Sequence, residues 1–154
     1  MRPAARFSAP AAVVAAALLL AGCAGRGDSS AAGPTRAEYL AQAKQICVDY
    51  QKQINDLKGA SDLGQLADQG QKAIELEAAE VEQLRKLEPP AKDADAIERM
   101  LDAVELTIAT ARELVAAARA DDVAGVTTAA SKLRRQLAEA NRLAKPFGLD
   151  LCAS

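Results

Sequence analysis

Three cysteines, Cys23, Cys47 and Cys152, and a ladder of glutamates, Glu75, Glu77, Glu80 and Glu82, are the residues whose types and spacing could do chemistry in this 154-residue chain. A thiol can be acylated or oxidised, and paired carboxylates can hold a cation or exchange a proton. The chain contains no histidine, which removes the commonest general base and the commonest metal ligand. A di-iron site inside a helical bundle needs inward-facing Glu-x-x-His pairs, so none can be built here. Zinc would have to rely on Cys47 and Cys152, and neither a Walker loop nor a GxGxxG turn is present to cradle a nucleotide. These absences predict a protein that is not an enzyme and carries no cofactor. Glu75 and Glu82 are spaced to share a helix face, where a cation or an acid–base pair is conceivable. The simpler expectation is a solvated face partnered by nearby Lys and Arg.

Cys23 closes the run Leu20-Ala21-Gly22-Cys23, which follows Arg2, Arg6 and an apolar stretch from Pro10 to Leu20. That order resembles the lipobox of bacterial lipoproteins. Cys23 would then gain a diacylglyceryl thioether, and cleavage before it would make it the new N-terminus. An apolar run of roughly 11 residues falls short of the ~20 a bilayer-spanning helix needs, and an ordinary secretory signal cleaved after a small-x-small pattern is the other alternative. One acyl chain binds a membrane marginally, whereas two or three hold it stably. The expected address is therefore the extracytoplasmic face of the cell membrane, with residues 1–22 a signal peptide and palmitate-type acylation at Cys23.

Loss of Arg2 and Arg6 takes the basic residues from 19 to 17 against 21 acidic ones, a mature charge of about −4. That balance is wrong for a nucleic-acid partner. Residues 23–34 comprise the lipidated cysteine and a Gly-, Ser- and Pro-rich stretch that cannot bury enough apolar surface to order itself. It reads as a flexible tether with a reach of about 17–20 Å. Its Arg26-Gly27-Asp28 matches the tripeptide of integrin-binding proteins, a match that chance accounts for in so biased a segment. Outside the cytoplasm Cys47 and Cys152 can oxidise, and an even pair there reads as one disulfide; a buried free thiol at Cys47 is the alternative.

The elements that position these residues are helical. Thr35 and Glu38 form a capping box, after which Leu40, Ala43, Cys47, Tyr50, Ile54 and Leu57 recur in steps of three and four. Gly59 is the expected C-terminal cap of this first helix. The second helix, capped by Ser61 or Asp62, is irregular. Gly64 and Gly70 each cost about 1 kcal/mol relative to alanine, so regular helix is expected only from about Lys72 to Leu87, where Pro89-Pro90 ends it. The third starts near Pro90 to Asp93 and carries Ile97, Leu101, Val104, Ile108, Ala111, Val115 and Ala118. Asp121 or Asp122 caps the fourth, with Val123, Val126, Ala130, Leu133, Leu137, Ala140, Ala144 and Phe147 on its stripe and Pro146 and Gly148 at its end. Short turns imply antiparallel neighbours, so residues 35–154 are expected to form one all-α domain, an up-down-up-down four-helix bundle.

In that topology the tail after Gly148 must turn back along the bundle for Cys152 to reach Cys47, which is feasible but not automatic. Lys132, Arg135, Arg142 and Lys145 flank the fourth stripe; anionic head groups are one conceivable partner, and snorkelling with pairing to helix two or three is the simpler one. Aromatic side chains are too few to stack sugars or bases. Tyr39 should lie near Phe147 at the tether end, where a small apolar ligand could enter, although ordinary core capping explains both rings.

The segments Tyr39-Leu40-Ala41-Gln42-Ala43-Lys44-Gln45-Ile46-Cys47, Leu87-Glu88-Pro89-Pro90-Ala91 and Phe147-Gly148-Leu149-Asp150-Leu151-Cys152 resemble those of small secreted or lipid-anchored helical proteins of high-GC Gram-positive bacteria. The resemblance covers nearly all the mature chain. It implies a helical bundle whose C-terminal tail is tied to the first helix by a disulfide, and it brings no catalytic residues. The functional expectation is a membrane-anchored, non-catalytic interaction module that binds another envelope protein; the alternative is a carrier or sensor of a lipid or other apolar small molecule held between the helices.

Overall fold

A computed structural model describes residues 33–150. Four helices follow one another, α1 (Arg36–Asn55), α2 (Leu63–Arg85), α3 (Ala94–Arg119) and α4 (Val123–Ala144), with a single 3-10 turn at Lys145–Phe147. The described residues contain no strand. No helix among them is long and apolar enough to cross a membrane.

Local chemistry sets the helix starts. At α1 the Glu38 N–H donates to Thr35 Oγ1 at 3.3 Å, and the Thr35 N–H donates to Glu38 Oε2 at 2.8 Å, so the capping box is complete. Asp62 accepts from Gln65 N at 2.8 Å to open α2, and Asp122 accepts from Gly125 N at 2.9 Å to open α4. Each satisfies an amide that the first turn leaves without an intrahelical partner. Asp121 just before takes a left-handed backbone, which a short polar side chain tolerates, and this lets α4 follow α3 at once.

Three boundaries differ from the sequence reading. Helix α2 is regular from Leu63, Gly64 and Gly70 included; tertiary packing outweighs the intrinsic penalty of both glycines. A Cβ on Gly70 would lie 2.8 Å from Val115 Cγ2, so the bare backbone is what lets α2 approach α3 there. Helix α1 ends at Asp56 in an ordinary right-handed conformation rather than on Gly59, and only Gly148 among the described glycines has positive φ. Helix α3 starts at Ala94, with Pro90 in the preceding turn, where its carbonyl accepts from Asp93 N at 2.8 Å.

Consecutive helices run antiparallel. Arg85 of α2 reaches Asp102 and Glu105 of α3, while Gly70 meets Val115. Lys132 of α4 reaches Glu113, one turn from where Gly125 abuts Ala117. Close backbone contact joins α3 to α4, α2 to α3 and, less extensively, α1 to α2. Between α1 and α4 the described contacts lie at the tether end, where Arg36 donates to the Pro146 carbonyl at 2.8 Å and its guanidinium stacks on Phe147 at 4.9 Å. The core runs through Tyr39, Ala43 and Cys47 of α1, Ile74, Val81 and Leu84 of α2, Ile97 to Ala118 of α3, and Ala140, Ala144, Phe147 and Leu149. Each fully buried Ile, Leu, Val or Met contributes roughly 1.5–3 kcal/mol. Of α4, only the alanines Ala129, Ala140 and Ala144 are fully buried.

Candidate functional site

The glutamate ladder splits into two pairs. Glu75 and Glu82, the pair expected to share a face, are solvated: Glu75 accepts from Gln71 at 2.9 Å and Glu82 pairs with Lys86 at 2.8 Å. Glu77 and Glu80 turn inward instead. Glu80 is only 5% exposed, and its Oε1 has no hydrogen-bond partner. Burial, reinforced by the neighbouring Glu77 carboxyl, pushes the Glu80 pKa up to about 8; burial raises Glu77 as well. The α2 ladder therefore carries a carboxyl that is largely protonated at neutral pH.

The register of the helices sets what is level with this carboxyl. The contacts of Arg85 with Asp102 and Glu105, and of Gly70 with Val115, place Glu77 and Glu80 at the height of Thr107 and Thr110 of α3. The Lys132–Glu113 pair and the approach of Gly125 to Ala117 place Gln136 of α4 at the same height. Thr107 is satisfied, donating to the Val104 carbonyl at 2.7 Å. Thr110 Oγ1, on a fully buried side chain, and Gln136 Oε1 are not. One layer of the bundle thus holds three buried oxygens without partners, on three helices. Such groups are costly unless water or a ligand meets them.

Several stripe residues of α1 and α4 are less covered than the sequence leads one to expect. Tyr50, Ile54 and Leu57 of α1 and Leu133 and Leu137 of α4 belong to the expected inward stripes, yet all are only half-buried and stand outside the main core. Starting from the Arg36–Pro146 contact and counting back at 1.5 Å per residue, Tyr50 and Leu133 both lie about 20 Å along their helices. Among the described residues, the exposed large hydrophobic side chains, Val48, Leu106 and Val123, sit on three different helices.

Tyr39 is buried, and its hydroxyl has no partner, so its pKa is raised by burial. It borders an open pocket of about 260 Å³ with Leu84, Leu87, Ile97 and Leu101 among the walls. Phe147 shares the core with it. Of the basic residues flanking α4, Lys132 does pair with α3 through Glu113 at 2.9 Å, whereas Arg142 pairs within its own helix with Glu139 at 2.6 Å.

Cys47 lies on the core face of α1, 1% exposed. Cys23, Cys152, the signal segment and the Arg-Gly-Asp tripeptide lie outside the described residues. The turn that leads towards Cys152 is described: Gly148 adopts φ 62°, ψ 36°, and Leu149 beyond it is buried, its N–H donating to the Ala144 carbonyl at 3.3 Å. A Cβ on Gly148 would lie 3.4 Å from Lys44 Nζ, so the chain leaves α4 beside α1, one turn before Cys47.

Sequence reasoning missed Glu77 and Glu80, although their signal was present. Ala73, Glu77, Glu80 and Leu84 are spaced four, three and four apart, so the two carboxylates interrupt an otherwise apolar line. No group of three or more Asp, Glu, Cys or His among the described residues could hold a metal ion. Compared with protein-family models, curated proteins and solved structures, the chain matches none.

Proposed function

We propose that this chain is a lipid-anchored helical module on the extracytoplasmic face of the cell membrane, where it engages another envelope protein and performs no chemistry of its own. The observation that carries the proposal is the half-buried stripe. Tyr50, Ile54, Leu133 and Leu137 have core periodicity without core burial, the state of side chains that a partner's apolar segment would complete. The Leu20-Ala21-Gly22-Cys23 run supports the anchor at Cys23, and residues 24–34 supply the slack for the bundle to meet a neighbour. A bond from Cys47 to Cys152 is part of the same reading. The turn at Gly148 lies beside Lys44 of α1, and a chain running from Leu149 to Cys152 can span about 10 Å when extended.

The test is photocrosslinking in the source organism, with the crosslinking residue placed at Leu137 or, as the control, at the exposed Glu105. A discrete adduct from position 137 and none from 105 is expected. Adducts from neither, or equally from both, would reject the seam as the contact surface. In the same strain Cys23→Ala should leave the membrane fraction.

A second reading, a carrier of an apolar small molecule, is favoured only by the Tyr39 pocket. Its open walls give a bound molecule partial cover, short of the near-complete burial a carried ligand needs.

A further inference from the structure

Charge is segregated along this chain. The segment Val123 to Lys145 carries five basic residues and one acid, whereas α2 and α3 together carry ten acids and five bases. Lys132 pairs with Glu113 of α3, but among the described residues no ion pair takes up Arg134, Arg135 or Lys145. Arg142 pairs within its own helix and stays 67% exposed. The other three are exposed as well. Arg135 and Arg142 stand two turns apart and Arg134 and Lys145 three, so they form two adjacent lines on α4. Both lines lie on the side away from the buried Ala129, Ala140 and Ala144. No exposed large hydrophobic side chain stands among them, so this face offers charge and not an apolar wedge.

The cations crowd the end of the bundle at which the described chain begins. Arg36 donates to the Pro146 carbonyl there, and Arg134, the farthest of the four, lies about 18 Å back along α4. Residues 123–131 of the same helix carry no charge. Lys44, exposed on α1, has its ammonium beside Gly148 and adds a fifth positive charge. Two acids stand among them: Glu139, bonded to Arg142, and Asp150, which lines an open hollow with Arg142 and Lys145.

We infer that this outer face of α4 lies on the anionic phospholipid head groups of the membrane that tethers the chain, through Arg134, Arg135, Arg142 and Lys145. The inference rests on the anchor at Cys23 proposed above. Guanidinium and ammonium groups pair with phosphate, and each cation near an anionic leaflet adds to the attraction. A mature chain of net charge about −4 gains from such a surface only when its cations face it and α2 and α3 face away. A tether reaching about 17–20 Å keeps the start of α1, and with it the end of α4, close to the head groups. A soluble polyanion would meet the same charges without that advantage.

The test places the mature chain in lipid nanodiscs containing a small fraction of gadolinium-chelated head groups and reads paramagnetic broadening of the backbone amides. Discs of phosphatidylcholine alone are compared with discs about one-third phosphatidylglycerol. In the anionic discs broadening should be several-fold stronger over residues 134–145 than over α2. That excess should vanish in about 1 M salt, where charges are screened within about 3 Å. A variant carrying Arg134→Gln, Arg135→Gln and Lys145→Gln should lose the excess at low salt while keeping its melting temperature, because all three side chains are exposed. Equal broadening over the four helices, the same pattern in neutral discs, or an undiminished excess in the variant would overturn the inference. Retention on neutral discs reads the anchor by itself. A chain that stays on them yet shows no α4 excess in anionic discs overturns the face alone. One that leaves them but binds anionic discs through residues 134–145 removes the anchor and upholds the face.

Discussion

Helices α2 and α3 approach closely at Gly70 and Val115: a methyl group added at Gly70 would stand 2.8 Å from Val115 Cγ2, inside van der Waals contact. Val115 is buried and β-branched, so it has little freedom to move aside. Alanine at position 70 would gain about 1 kcal/mol in helix propensity and lose about 1–3 kcal/mol to overpacking. Gly70→Ala is therefore expected to destabilise the bundle by roughly 1 kcal/mol in urea denaturation. Gly70→Ala combined with Val115→Ala should be less destabilised than the two single changes added together.

Gly70 also shows where the sequence was legible and where it was not. Glycine's intrinsic penalty is a local property and argued against a helix over residues 63–72. Its benefit is tertiary, because it depends on Val115, far along the chain, arriving opposite. The caps at Thr35, Asp62 and Asp122 needed only neighbours within three residues, and they were readable for that reason. The stripes of α1 and α4 were readable as helix, but their burial was not. Whether Leu133 is covered depends on how closely α1 approaches, and the periodicity of α4 carries no information about α1. Charge alone groups Glu77 and Glu80 with Glu75 and Glu82, whereas helical phase separates them. Their four-three-four spacing with Ala73 and Leu84 already placed them inward.

The Glu80 carboxyl ties stability to pH. Its pKa is raised to about 8 in the folded chain from an ordinary value of 4.5, so between those values the folded state holds a proton that the unfolded state has released. Stability should then fall as pH rises across this window, with a limiting slope of about 1.4 kcal/mol per unit. Urea denaturation at pH 6 and pH 8.5 is expected to show a loss on the order of a few kcal/mol at the higher pH. Glu80→Gln, which cannot ionise, should flatten this dependence; an unchanged slope would mean that Glu80 is not the group responsible.

Asp122 opens α4 through its bond to Gly125 N at 2.9 Å. Asp122→Ala should cost about 1 kcal/mol, read as a lower urea midpoint with an unchanged slope. By contrast, Arg85→Ala breaks two exposed ion pairs and should cost less than about 1 kcal/mol, because solvent screens both.

Linking Cys47 to Cys152 would close a loop of about 105 residues, worth about 4–5 kcal/mol in the chain-entropy description. Cys152→Ser should therefore lower the melting temperature markedly under oxidising conditions, and reduction of the wild-type chain should reproduce the loss. Equal melting temperatures for wild type and variant would remove the proposed bond.

Native mass spectrometry of the mature chain, extracted in detergent from membranes of the source organism, tests the central claim most directly. The expected species is a complex that releases a second polypeptide on denaturation. This protein's own chain in that complex should begin at Cys23, carry diacylglycerol there, and be lighter by the two hydrogens lost on disulfide formation. A bare, unacylated chain with no second polypeptide would contradict both the anchor and the partner.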